Sequence, residues 1–213
     1  MTLAADKLIA QITQEISSGV LRPGDQLEES ALVAKFGVSR TPIREAIRAM
    51  VGLGLLETRP RKGAIVRVLT TKELLDLFEV GAGLEGMACR LAAAALTQKH
   101  AEAIEKALEK CNLAAQTSDK VLYSMANLEF HAAIHAATDN HWLIEQLQNI
   151  GIHINPYRSL PYDIRGRLAK STEEHAVICK AILSGEGEKA SELMRDHIML
   201  QGKRLPAVLK LLA

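Results

Sequence analysis

Residues 127–135 read NLEFHAAIH, which places Asn127, His131 and His135 at i, i+4 and i+8, on one face of a helix. His175 in STEEHAVICKAILSGE and His197 in ELMRDHIML each lie beside the apolar stripe of a further amphipathic segment. A single imidazole facing a bundle interior is most often a hydrogen-bonded core residue. Three helices able to converge make a metal site competitive, because bundles build such sites from the inward side chains of facing helices. Neutral imidazoles suit Zn, Ni or a similar divalent ion. A second pattern lies in GVSRTPIREAIR, where Arg40, Arg44 and Arg48 recur every four residues opposite Ile43, Ile47 and Met50. Such a helix fits the major groove of DNA, with guanidinium groups pairing to guanine edges or phosphates. Ser39 and Thr41 stand at its start, where hydroxyls and free N–H groups hold a phosphate. Arg61, Lys62 and Gly63 follow at the tip of a short hairpin, placed to reach the backbone or the minor groove.

The elements that position these residues are legible in outline. LAADKLIAQITQEISSG has Leu3, Leu8, Ile9, Ile12 and Ile16 near one helical face, with Gly19 as a stop. LRPGDQL is a turn, and EESALVAKFG a short helix closed by Gly37. Ser39 or Thr41 caps a third helix with Pro42 in its first turn. LLETR and AIVRV form a two-stranded wing joined by PRKG. After Thr70 no strand signal appears. Helices are predicted over about 71–95, 98–117, 120–138, 141–155, 163–184 and 186–211, with NPYRSLPYD as a Pro-rich loop. The expected fold is mainly α: an N-terminal winged helix-turn-helix over residues 1–69 and a C-terminal all-α six-helix bundle over 70–213.

Composition agrees. Aromatic residues are 3% of the 213, while Ala and Leu abound, which suits helix-on-helix packing. The net charge of +1 names no polyanionic partner, but its distribution is uneven. Residues 1–69 carry ten Lys/Arg against seven Asp/Glu, and the remainder sixteen against eighteen. The three cysteines, Cys89, Cys111 and Cys179, are scattered and odd in number, which fits a reducing cytoplasm. No apolar run is long enough to span a bilayer, so a cytoplasmic protein with no membrane partner is expected.

The stretch LEESALVAKFGVSRTPIREAIRAMVGLGLLETRPRKGAIV closely resembles the winged helix-turn-helix of the GntR superfamily of bacterial transcription regulators. The resemblance implies contacts with double-stranded operator DNA from Ser39, Arg40, Thr41 and Arg44 and from the wing around Lys62 and Gly63, with Arg48 on phosphate. Many members carry a basic residue near the start of the second helix, where this chain reads Glu28-Glu29-Ser30. Residues 71–213 resemble the ligand-sensing (FCD) domain of the FadR-type branch, in its six-helix VanR-like form, through ANLEFHAAIHAATDN and EEHAVICKAILSGEGEKASELMRDHI. That likeness implies a divalent metal, Zn or Ni, held at Asn127, His131, His175 and His197. Asn127 stands where Asp is commoner, and His135 is a substitute of lower weight. It also implies a small organic acid bound near the metal. The arginine that commonly assists is replaced by Gly81, while Glu85 remains, and Arg158 or Arg165 is the cation expected to take over.

The expected function is a homodimeric transcription regulator, more in keeping with a repressor, whose operator affinity answers to a small carboxylate effector. A metal-dependent enzyme using the same histidines is the alternative, but no HExxH occurs and Glu174 adjoins His175, so the two side chains diverge by about 100°. That alternative leaves the basic helix unexplained. A DNA-binding protein with no effector is the third class, and a bare solvated arginine face the reading with no function at all.

Overall fold

The computed structural model of the protein describes residues 3–60, 63–158, 162 and 164–212, with side chains through residue 199. The chain divides into two compact units, Met1–Thr70 and Thr71–Ala213.

The first unit runs α1 (Leu3–Ser17), β1 (Gln26–Leu27), α2 (Glu29–Phe36), α3 (Arg40–Gly52), β2 (Leu56–Arg59) and β3 (Gly63–Val66). Ala5, Leu8, Ile12 and Ile16 form the buried stripe of α1, which packs on α3. Leu3, expected on that stripe, is 74% exposed. Gly37 ends α2 in the left-handed region, at φ 64, and its N–H donates to the Val33 carbonyl. A residue with a Cβ is strained there, so glycine at this turn is what allows α3 to leave at a sharp angle. Ser39 is the residue that occupies the N-cap of α3.

The wing has three strands rather than two. Gln26 and Leu27, in the segment read as a turn, pair antiparallel with Ile65 and Ala64. Leu56 to Arg59 pair with Val66 to Gly63 on the other edge, giving the order β1-β3-β2. A two-residue strand leaves too short a period for sequence to betray it. Its presence explains why Ala64, Ile65 and Val66 are all buried: β3 is the central strand.

The second unit is helical throughout its described residues: α4 (Thr71–Ala94), α5 (Gln98–Thr117), α6 (Lys120–Ala137), α7 (His141–Arg158), α8 (Arg167–Leu183) and α9 (Gly187–Leu212). Thr97 and Asp119 cap α5 and α6 through their side-chain oxygens. Asn140 accepts the N–H of Leu143 at the start of α7, after Asp139 has turned the chain at φ 49. Helix α4 packs against α9 and α7, and α5 against α6 and α8. The core includes Phe78, Tyr123, Phe130, Ile134 and Tyr157, all 2% exposed or less.

Two departures from the predicted elements matter for the site. Helix α7 does not stop at Asn155 but runs through Pro156 to Arg158. A proline in the last turn forfeits one hydrogen bond, and here Pro156, Tyr157 and Arg158 are all buried, so packing outweighs the local preference. Helix α8 begins at Arg167, after Gly166 at φ 80, and the predicted start at Asp163 lies outside the described residues.

Candidate DNA-reading face and buried histidine cluster

Helix α3 buries Ile43, Ala46, Ile47 and Met50 and turns Arg40, Arg44 and Arg48 to solvent. Ser39 and Thr41 are exposed at its N-terminus, and the Ser39 side chain makes no capping bond, so its hydroxyl is available. Gly63 is exposed at φ 73 on the hairpin. Arg61 and Lys62 lie outside the described residues. A surface cleft of about 480 Å³ runs between the start of α2, α3 and the sheet, with Glu29, Ser30, Arg40, Thr58 and Gly63 on its walls. Among the described residues Arg40 and Arg48 have no ion-pair partner. The Arg44 Nε donates to both carboxylate oxygens of Glu29, at 3.1 and 3.0 Å.

In the helical unit, His131 on α6, His175 on α8 and His197 on α9 meet in the interior. Ring nitrogens of the three lie within 4.8 Å of one another, and each residue is at most 2% exposed. Asn127, one turn before His131, is also buried, and its Oδ1 has no hydrogen-bond partner. The outer nitrogens are fixed. His131 Nδ1 lies 2.9 Å from Glu85 Oε2, and His197 Nδ1 lies 2.7 Å from Glu174 Oε2. Arg167 grips Glu174 through both terminal nitrogens, at 3.0 and 2.9 Å. Each carboxylate accepts the Nδ1 proton, which puts the lone pair of His131 and of His197 on Nε2. His131 Nε2 has no partner, and His197 Nε2 is 3.3 Å from His175 Nε2. The His175 ring stacks on Phe130 at 4.4 Å between centroids.

Burial holds the rings neutral. It lowers His131 to about 4 against the opposing pull of Glu85. It lowers His175 well below its usual value, with His197 and His131 adding to it, and lowers His197 against Glu174. Burial pushes the Glu85 carboxyl up, but His131, His135 and Arg158 together outweigh it and keep the group ionised. Glu174 is held at about 2, because bonds from His197 and Arg167 overcome its burial. The chemistry of this donor set suits a divalent cation: three neutral imidazoles, two of them oriented by carboxylates, and an unpartnered amide oxygen. His135 does not join them. Its Nε2 lies 3.0 Å from Glu85 Oε2, and with Glu85 and His131 it forms a second group of potential ligand atoms within 4.8 Å of one another.

Glu85 is also bound by Arg158 Nη2 at 2.8 Å. Beside them a cavity of about 240 Å³ opens between α4, α6 and α7, bordered by Glu85, His131, His135, Gln148, Asn155 and Arg158. Arg158 Nε and Asn155 Oδ1 are buried without partners. Gly81, where the resemblance leads one to look for an arginine, sits close against α7: a Cβ there would lie 2.6 Å from Ile154 Cδ1, so the end of that side chain would have to move. Arg165 is exposed, two residues before the start of α8. Gly166 reverses the chain, and the buried cation is Arg167, two residues on. Sequence reasoning missed Arg167, and it set Glu174 aside for diverging from His175. The readable signal was Arg167, Ser171 and Glu174 at i, i+4 and i+7, one face of α8. Tyr123, Tyr162 and Ser171 add further buried hydroxyls.

Residues 4–66 match the bacterial regulatory proteins, gntR family, and residues 76–199 match the FCD domain. A helix-turn-helix with an arginine-lined third helix, joined to a helical unit with buried histidines, is the build of a two-part DNA-binding regulator. The chain belongs to the GntR family of bacterial transcription regulators and carries an FCD domain; it is not an enzyme. It is 32% identical over 198 residues to the "Probable D-xylose utilization operon transcriptional repressor" of Paenarthrobacter nicotinovorans, covering 92% of this chain and 86% of that protein. It is 27% identical over 201 residues to the HTH-type transcriptional repressor GlaR of Escherichia coli K12, covering 88% and 89%. In fold it is similar to E. coli McbR/YncC, with a TM-score of 0.86 at 21% identity over the whole of both chains. No helix among the described residues is long and apolar enough to cross a membrane.

Proposed function

We infer that this regulator is a homodimeric repressor whose operator binding is set by a small organic acid held beside a divalent metal in the helical unit. The observation that carries the effector half is the convergence of His131, His175 and His197 in a buried space that two carboxylates have pre-arranged, with the unpartnered Asn127 Oδ1 buried on α6 one turn before His131. Asn127, His131, His175 and His197 would hold the ion, Zn or Ni by donor type. When bound it supplies positive charge with which an acid can pair. Arg158 offers a second donor through Nε, and Glu85 keeps Arg158 and His131 in place. A space of about 240 Å³ admits a compact acid and not a long acyl chain.

The DNA half rests on the solvent-facing Arg40, Arg44 and Arg48, with Ser39, Thr41 and Gly63 beside them; Arg61 and Lys62 are proposed for the hairpin by type and position alone. Two copies are expected because one small winged unit has too little contact area for useful specificity. Exposed Leu113, Leu122 and Met125 on α5 and α6 supply an apolar face for a second copy. The two relatives named above, both described as repressors, support that sign of regulation. A bacterial regulator that acts on operator DNA is expected to work in the cytoplasm. The deciding experiment is metal analysis of protein purified without chelator, followed by a thermal-shift screen of small carboxylates against the holo protein. One metal per chain and a stabilising acid are expected. Metal-free protein that still responds fully to an acid would contradict the reading.

A further inference from the structure

Of the three arginines on α3, Arg44 alone is already engaged. Its partner is Glu29, in the first turn of α2, and both oxygens of that carboxylate face the Arg44 Nε, at 3.1 and 3.0 Å. The pair is open to water, with side chains 56% and 38% exposed. An ion pair so exposed contributes only about 0–1 kcal/mol to folding. Its effect is therefore on orientation. A guanidinium presents five N–H donors in a rigid plane. With Nε taken, the two terminal nitrogens remain, with no hydrogen-bond partner among the described residues. Those two match the O6 and N7 acceptors of guanine end-on. The same carboxylate carries a negative charge next to the groove-facing helix, where it offsets the charge of Arg44 and opposes phosphates. Arg40 and Arg48, with no such neighbour among the described residues, keep their full charge for the backbone.

We propose that Glu29 is a specificity-determining positioning residue: it locks Arg44 end-on for a guanine and withholds it from phosphate. This rests on the reading of α3 as the recognition helix. It gives a role to Glu29 within Glu28-Glu29-Ser30, the segment where the resemblance leads one to look for a basic residue. Removing the carboxylate frees Arg44 to follow the backbone, so binding to arbitrary DNA rises while discrimination falls.

The test uses the full-length protein, a duplex selected by it from a random-sequence pool, and a scrambled duplex of the same composition. Dissociation constants for both are measured at one salt concentration for wild type, Glu29→Gln, Glu29→Ala, Arg44→Ala and the Glu29→Gln/Arg44→Ala pair. Glu29→Gln and Glu29→Ala are expected to lower the selected-to-scrambled ratio by about two- to fivefold, the most that an exposed orienting pair can supply. Part of that fall comes from tighter binding of the scrambled duplex. Arg44→Ala is expected to lower the ratio too, and adding Glu29→Gln to it to lower it no further. If Arg44→Ala lowers the ratio and neither Glu29 variant does, the role of Glu29 is overturned while the recognition helix stands. If Arg44→Ala itself changes nothing, both fall. A ratio that drops again in the double variant shows Glu29 acting apart from Arg44 and also overturns the proposal.

Discussion

Asn127 Oδ1 and His131 Nε2 are buried polar atoms with no partner, which native interiors seldom tolerate. The cation proposed above would satisfy both if Asn127 and His131 are its ligands. His175→Ala is expected to abolish stoichiometric metal in protein purified without chelator, as read by elemental analysis. Glu174→Gln leaves every proposed ligand in place but replaces the charged acceptor that orients His197 with a neutral amide, so metal affinity should fall, by up to about 10–100-fold, in a chelator competition. Unchanged affinity in Glu174→Gln would mean that His197 is oriented by something else. The buried thiols make a separate prediction at this scale. Burial pushes Cys111 up to about 12, with Glu129 adding to it, and Cys179 up to about 11, with Glu105 adding. The unfolded chain gives up these protons near pH 8.5 and the native one does not. The native state therefore binds more protons above that pH, and stability falls as pH rises from about 9 through 11 and 12. Native protein at pH 8 should resist a thiol reagent that labels Cys89, Cys111 and Cys179 fully in denaturant. Rapid native labelling would contradict the burial of these side chains.

At the scale of elements, close helix contacts shape the sensing unit. Gly81 on α4 faces Ile154 on α7, itself 1% exposed. Restoring the arginine implied by the resemblance, as Gly81→Arg, overpacks that contact. The expected cost is about 1–3 kcal/mol, or a melting temperature lower by several degrees for a chain of this length. A variant as stable as wild type would mean that Ile154 yields readily. This position also shows where sequence reading stops. The order of the helices, the Gly37 turn, the buried face of α3 and the histidine set could all be read, because each rests on a local period or a local capping residue. The reach of α7 through Pro156 could not, because burial of Tyr157 and Arg158 overrides a local preference that favours a loop. The same holds for β1, whose two residues pair with a strand nearly forty positions away. The Arg167–Glu174 pair could be read from its i, i+7 spacing on α8, but the reach of Glu174 to His197 could not, because His197 lies on a different helix.

At the scale of the whole molecule, the account couples two separate units through a shared equilibrium. Reciprocity follows from linkage: an acid that weakens operator binding must itself bind less tightly to the operator-bound protein. An effector that selects one arrangement of the holo protein stabilises it by about 2.7 kcal/mol at a hundredfold excess over its dissociation constant. The thermal-shift screen should therefore reveal a true effector as a rise of several degrees, absent in His131→Ala. Sedimentation of the full chain should report a dimer at micromolar concentration.

The central claim is that α3 reads DNA and does so through its arginines. It is tested most directly by the anisotropy of a labelled, protein-selected duplex titrated with wild type and with the Arg40→Ala/Arg44→Ala double variant between about 50 and 200 mM salt. The account predicts steep weakening with salt for wild type. For the double variant it predicts a loss of at least tenfold in affinity and a shallower salt slope, with an unchanged melting temperature. Equal affinity and equal slope for the two proteins would contradict it.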